Sequence, residues 1–326
     1  MIFRLFTSKI FEEKRLYEIL AELKSKLQGS LSAAGHSAAS TRAMSYFSKN
    51  AFYKDSIAFY QVVAKLESDF ETHKADLITK LEGMARQIFN ENKFMVSVTC
   101  DKEGLEAVKP EVVSLKEALY TDTVETKTVE LHLSKKNEGF MDASQVQYVA
   151  RAGNFRKHGF DYHGALRILK VIMGYDYLWL NIRMKGGAYG CMNGYMRNGD
   201  TYFVSYRDPN LEKTNEVYEG MPAYIENFDA DEREMTKYII GTISDMDVPL
   251  NPSAKGERSM AAYLQGITLE DIQRERDEVL SATKEDIRGL KDLIAAVLSD
   301  NNICVIGNEE KLTEQKEMFM ELKNLV

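Results

Sequence analysis

Cysteine is scarce in this 326-residue chain: Cys100, Cys191 and Cys304 are an odd number, far apart, and form no C-x-x-C pair. That excludes a disulfide framework and a cysteine zinc cluster, and it points to a reducing, cytoplasmic compartment with the thiols as small core or half-buried residues. Long apolar runs are missing too. None approaches the roughly 18 residues needed to span a bilayer, so no membrane role is expected. The opening stretch, MIFRLFTSKIFEEK, is apolar but interrupted by Arg4 and Lys9, and no cleavage-site pattern follows, so it is not expected to act as a signal peptide. Positive charge is in deficit, with 42 Lys and Arg against 50 Asp and Glu and a net charge of −8. This argues against a non-specific nucleic-acid binder.

The signatures of bond-breaking chemistry are also absent. The five histidines, His36, His73, His132, His158 and His163, make neither His-Glu-x-x-His nor His-x-x-Glu-His, so helical zinc spacing with its general-base glutamate is lacking. His158 and His163, with Asp161 between them, could form a weak metal site, but a polar loop before a helix explains them more simply. No Gly-x-Ser-x-Gly and no Walker sequence occurs. Lys185-Gly186-Gly187 lacks the preceding glycine-rich loop of a phosphate cradle, which rejects a nucleotide site. The chain is not expected to break bonds unaided.

What remains is a soluble-type composition, 44% hydrophobic, with length enough for two domains and two cores. Residues 8–28 read as an amphipathic helix that ends at Gly29, followed by helices near 37–46, 56–70 and 73–90. Phe94 to Cys100 alternates like a half-buried strand. Residues 105–127 lack a strong period and contain Pro110; they are expected to be a linker. Strands are expected at Thr128–Leu133 and Gln145–Ala152, with a turn at Lys135–Gly139 between them. Helices follow at 162–173 and 177–182, then at roughly 210–227, 230–246, 255–265 and 268–299, before a strand at 303–306 and a helix from Asn308.

Two endings match. NENKFMVSVTCDKEGL and SDNNICVIGNEEKL both run from an Asn/Asp cluster through a short apolar strand to an acidic pair and a leucine. The expected fold class is therefore α+β, two repeats of a helix-plus-sheet sandwich domain. The first copy, 1–104, lacks opening strands and reads as truncated at its N-terminus; the second occupies 128–326. A helical bundle with one strand is the plainer account of the first copy.

The densest stretch is NIRMKGGAYGCMNGYMRNGDTYFVSYRDPN, residues 181–210. Asn198-Gly199 between aromatic-rich runs suggests a type I′ hairpin. Asp208-Pro209 suggests a helix start with Asp at the N-cap. Upstream, Gly186-Gly187 leaves Arg183, Lys185 and Tyr189 crowded around one helix-to-strand turn. That turn is either a glycine C-cap dressed with polar residues or a place that holds a ligand's main chain, and local pattern leaves both open.

Arg183-Met184-Lys185-Gly186-Gly187-Ala188-Tyr189-Gly190, with the aromatic hairpin and Tyr206-Arg207-Asp208-Pro209-Asn210, resembles the C-terminal half of the pitrilysin/insulinase zinc metallopeptidases, in their presequence-protease branch. HSAASTRAMSYFSKNAFY is similar to the helical part of that family's third domain; Asn227 to Glu232 and Pro252 to Gly256 are similar to its fourth. The resemblance implies four α+β domains in two hinged halves that close around an unstructured peptide. It places the His-x-x-Glu-His motif and the catalytic zinc on an N-terminal half, absent here, and makes Arg183 and Tyr189 substrate-binding groups near the scissile bond. Gly186 and Gly187 would let the peptide approach closely. It thus implies the substrate-binding half of a zinc metalloendopeptidase for short unstructured peptides, inactive alone, whose partners are the peptide and the zinc-bearing half. A non-catalytic structural or peptide-binding member of the same family is the alternative.

Overall fold

The computed structural model describes residues 11–58, 60–125 and 128–325. The expectation about the opening stretch, and Ile10 of the first helix, lie outside these residues. The fold is α+β. Its strands are β1 (Glu138–Asp142), β2 (Tyr148–Asn154), β3 (Gly190–Tyr195), β4 (Asp200–Tyr206), β5 (Asn302–Asn308) and β6 (Glu321–Asn324). They form one open, mixed sheet in the order β3-β4-β2-β5-β1-β6. The pairs β1–β5 and β1–β6 are parallel, and the others antiparallel.

The chain divides into two compact units. One contains the described residues up to Ser25, with Val63–Glu130 and Pro249–Leu269. It is helical, with Phe70 buried against the Tyr17 ring at 5.5 Å and Lys24 paired with Glu67 at 2.8 Å. Buried Asn90 donates from Nδ2 to the Asp122 carbonyl, and the backbones of Phe89 and Glu91 bond to Tyr120. The expected linker instead contains a helix, Lys102–Glu117, which runs through Pro110. Asp101 starts it as N-cap, accepting from the Gly104 N–H at 2.7 Å. A single proline removes one hydrogen bond without ending the helix. Phe94–Cys100, expected as a strand, is unpaired, and Met95, Val96 and Val98 are exposed. Alternation alone does not make a strand where no sheet offers an edge.

The other unit contains Lys26–Val62, Leu131–Val248 and the residues from Glu270 on, and it carries the whole sheet. The helix Glu13–Ser45 does not stop at Gly29; it continues to Ser45 with a break at Ala34 (φ −132°, ψ 31°). Its run of small residues lets it lie close: a Cβ at Gly35 would sit 2.3 Å from the Tyr148 ring. The core on the other face of the sheet is formed by Leu166, Leu169 and Ile172 of the helix Ala165–Ile172, by Phe203 and Val305 from the sheet, and by Ile294 and Val297 of Lys291–Ser299.

Thr128–Leu133 is not a strand, although it alternates. Its residues are exposed or half-buried, while the strand begins ten residues later at Glu138, inside what reads as a turn. β1 pairs with β5 and β6, and its consecutive residues Glu138, Gly139 and Phe140 are all buried, so both of its faces are covered there and it does not alternate as a half-exposed strand does. Glu138 starts it fully buried. Its carboxylate accepts from Arg42 Nε (2.7 Å) and Nη2 (2.9 Å), Lys323 Nζ (2.8 Å) and Tyr46 Oη (3.1 Å). Arg42 also donates to Asp55 at 2.5 Å. Burial alone would raise the Glu138 pKa; the hydrogen bonds and charges of Arg42 and Lys323 outweigh it and hold the group at about 2.

Because this pKa is depressed, the stability it confers is present above the ordinary value near 4.5 and is lost as pH falls from there towards 2. Burial raises the Asp55 pKa despite Arg42, which acts in the opposite sense. Glu138→Gln is expected to cost about 3–5 kcal/mol near neutral pH, the scale of breaking a buried pair. The difference from the parent should shrink as pH drops below about 4.5. Urea denaturation of both chains across that range checks this; equal midpoints at neutral pH would refute it.

Candidate functional site

The Arg183–Tyr189 turn lies where a helix passes into the edge strand. The helix Ala165–Ile172 continues through two π-helical segments, Met173–Tyr177 and Trp179–Met184, whose hydrogen bonds span one residue more than those of an α-helix. It ends on the glycine pair. Gly187, with φ +82°, donates to the Arg183 carbonyl at 2.9 Å, and Ala188 donates to the Ile182 carbonyl at 3.1 Å. This is a glycine C-cap widened by one residue. Gly186 is tight for a different reason: a Cβ there would lie 2.5 Å from the Ile182 carbonyl oxygen.

The cap displays Arg183 and Tyr189. The Arg183 guanidinium stacks 4.1 Å above the Trp179 ring and donates from Nη1 to the Tyr189 carbonyl at 2.7 Å. It also lies 5.6 Å from the Tyr189 ring, which meets Tyr206 edge-on at 5.5 Å. Arg183 and Tyr189 are therefore brought together, the arginine half-buried and the tyrosine 64% exposed. Lys185 points elsewhere, donating to Asn181 Oδ1 at 3.3 Å. An arginine held flat on an indole presents its remaining N–H groups in a fixed fork.

The Tyr206–Asn210 run holds the turn from behind. Tyr189 N–H donates to the carbonyls of Tyr206 and Arg207, and Arg207 takes a left-handed φ of 47° to allow it. Asn210 Nδ2 donates to the Gly186 carbonyl at 2.6 Å. Asp208 is not an N-cap, because the helix begins only at Glu212. It is fully buried and accepts from Thr214 Oγ1 (2.6 Å) and the Asn210 N–H (2.9 Å), while its backbone bridges Gln147. Burial pushes its pKa up against those hydrogen bonds. The hairpin differs as well. Gly199 alone has positive φ, with Gly199 N–H donating to Met196 and Met196 N–H to Asp200. That is a three-residue loop with a glycine bulge, whose first residues keep negative φ, and not a type I′ turn. Trp179, Asn210 and Asp208 as a hydrogen-bond centre escaped the sequence analysis; only aromatic spacing four residues before Arg183 hints at the first.

The two loop histidines go their own ways. His158 Nε2 is 2.8 Å from Asp300, and His163 is 4.0 Å from Glu278. Among the described residues no three His, Cys, Asp or Glu side chains form a group fit to hold a metal ion. No described helix is long and apolar enough to cross a membrane.

The family model for the PreP C-terminal domain matches residues 137–309, more than half of the chain, and a second model, for a peptidase-associated region, matches residues 2–66. The chain belongs to the presequence-protease branch of the pitrilysin/insulinase metallopeptidases. It corresponds to their C-terminal half. It is 38% identical to Protein HypA of Clostridium perfringens over 96% of this chain and 32% of that protein. It is 26% identical to Presequence protease 1, chloroplastic/mitochondrial, of Arabidopsis thaliana over 96% of this chain and 30% of that one. The chain thus spans about a third of these relatives. In fold it is similar to a conserved protein from Enterococcus faecalis V583 (TM-score 0.61, 14% identity, 94% of this chain and 71% of that one). It is also similar to pitrilysin (TM-score 0.58, 12% identity, 92% and 32%).

Gly187→Ala is expected to destabilise the chain by about 1–2 kcal/mol, because its φ is left-handed, although the nearest neighbour of a new Cβ, Pro209, is at an ordinary 3.6 Å. Chemical denaturation measures the loss. Loss of the Arg183–Trp179 stack, read as a change in Trp179 fluorescence in the folded state, should accompany it.

Proposed function

We propose that this chain is the substrate-binding half of a zinc metalloendopeptidase acting on short unstructured peptides, with Arg183 and Tyr189 as the groups that engage the substrate. The observation that carries this reading is their joint display: a guanidinium fixed on Trp179 and an exposed phenol beside it, on a rigid glycine cap. Both are hydrogen-bond donors, and both suit a peptide carbonyl that gains negative charge during hydrolysis. Gly186 and Gly187 keep side-chain bulk away, so a peptide main chain can approach.

Among the described residues no three His, Cys, Asp or Glu side chains form a group that could hold zinc, which is in keeping with metal ligands supplied by another part of the assembled protein. The metal site belongs to the N-terminal half, and that half is the expected protein partner. Residues 1–104 are assigned to the third domain of the assembled protein and 128–326 to the fourth. The cytoplasm is the proposed compartment, in keeping with three free cysteines of which Cys100 is exposed.

The test is hydrolysis of a fluorogenic unstructured peptide by this chain, alone and mixed with a separately prepared zinc-bearing N-terminal half. The expected result is no turnover alone and chelator-sensitive turnover on mixing. In the mixture, Tyr189→Phe or Arg183→Ala should lower turnover by about 10- to 1,000-fold, the scale of losing one oxyanion donor. Parent-like turnover in both variants contradicts the roles assigned. Silence of halves that demonstrably associate favours a non-catalytic, structural or peptide-binding member of the family.

A further inference from the structure

Among the described residues of its own unit, β3 is the last strand of the sheet and pairs with β4 alone. The ladder closes with Met196 N–H donating to the Asp200 carbonyl, so alternation turns the backbone groups of Cys191, Asn193 and Tyr195 away from β4. Among the described residues, no backbone–backbone hydrogen bond takes them up. An open edge of this kind is a template for another strand.

A cavity of about 590 Å³ runs along that edge. It is lined from one face of β3 by Cys191 and Asn193, and from the other by Met192 and by Tyr202 of β4, so it wraps the strand. Trp179 forms part of its wall, and the same indole carries the Arg183 guanidinium. Trp179 is thus shared between the cavity wall and the Arg183 stack.

Its floor carries an unmet demand. Asn193 is 4% exposed, and its Nδ2 donates to the Lys170 carbonyl at 3.3 Å. Its Oδ1 is buried and has no partner. A buried acceptor without a donor is costly, more so than a typical hydrogen bond is favourable. A donor arriving from the cavity would relieve it. The thiol of Cys191 does not compete for chemistry there, since burial pushes its pKa up to about 11.

We propose that the free edge of β3 is a docking strand for an extended peptide, one of whose side chains enters the cavity and donates a hydrogen bond to Asn193 Oδ1. The occupant is a peptide with an amide-bearing side chain such as glutamine. The proposal rests on the peptide-binding reading of Arg183 and Tyr189, and it adds to that reading the register and side-chain preference of the bound segment. A second copy of β3 could use the backbone edge, but it would leave the acceptor in the cavity unanswered.

The experiment uses the full chain and three fluorescein-labelled twelve-residue probes: an unstructured peptide with a central glutamine, the same peptide with leucine there, and the glutamine peptide N-methylated at alternate residues. Binding is followed by anisotropy and by hydrogen exchange at residues 190–195. The glutamine peptide should slow exchange at Cys191 and Asn193. N-methylation should weaken binding by about 10-fold, the equivalent of two or three lost strand hydrogen bonds. Asn193→Leu should remove the preference for glutamine over leucine while still binding the leucine peptide. Arg183→Ala should weaken the glutamine and leucine peptides alike.

Binding that depends on Arg183 but ignores N-methylation, with no protection at 190–195, overturns this proposal and leaves the peptide-binding reading intact. No binding of any probe overturns both. Protection at 190–195 that grows with protein concentration in the absence of peptide assigns the edge to a second copy and also overturns it.

Discussion

The sheet-bearing unit depends on one buried carboxylate. Glu138 opens a strand covered on both sides, where an unpaired charge would be prohibitive. Three donor side chains answer it: Arg42 and Tyr46 at the end of the long first helix, and Lys323 on the last strand. Each segment is thereby fixed to β1. The pair need not exceed a well-packed apolar substitute in stability, since desolvation offsets much of the attraction. Its geometric consequence is more definite. Arg42 ties the helix to both Glu138 and Asp55, and the same helix gives its Ala33 carbonyl, beside the Ala34 break, to Tyr206 Oη at 3.1 Å. Tyr206 in turn meets Tyr189 edge-on. The constraint at β1 thus reaches the opposite edge of the sheet through one helix and one aromatic contact.

At that edge the backbone, more than any side chain, sets the geometry. A π-helical turn is rare and less favourable than an α-turn, and it is often found where a protein needs a side chain in a position the α-helix does not offer. Here the widened turns carry the last hydrogen bond from Ala188 back to Ile182, while Trp179 and Arg183, four residues apart, stack on one face. The glycine pair makes this exit possible, one glycine through its left-handed φ and the other through its lack of a Cβ beside a carbonyl. The two accounts of the turn open at the level of sequence are therefore compatible. It is a glycine C-cap, and the same cap positions Arg183 and Tyr189.

Much of this was legible in sequence, and for identifiable reasons. Arg183, Gly186, Gly187 and Tyr189 stand close in the chain, so a local motif captures them, as it does the helix at Glu232, where Asp231 and Glu234 form a capping box. Contributions from a distance were not legible. Asn210 reaches Gly186 across 24 residues, and Asn193 Nδ2 reaches the Lys170 carbonyl across 23. Strand placement failed for the same reason. β1 owes its position to Arg42, β5 and β6, none of them near in sequence, and its burial on both sides removes the alternation by which strands are recognised. Phe94–Cys100 shows the converse, with good alternation and no partner among the described residues.

The edge position of β3 then has a consequence for how the unit tolerates water. Sheet edges are commonly blunted by inward charges, prolines or covering segments. β3 reads Gly-Cys-Met-Asn-Gly-Tyr, with neither charge nor proline, and among the described residues its main helical cover is the helix Ala165–Ile172 and its π-helical extension. Its two glycines supply no side chain to shield the backbone, and a Cβ at Gly194 would meet the Tyr202 ring at 2.5 Å, so the strand cannot easily acquire one there. A stretch this poorly defended is an aggregation hazard in isolation. Its persistence beside an Arg–Tyr turn makes sense if an extended chain occupies the edge during function, because the groups that make it hazardous are the groups a strand-adding ligand needs.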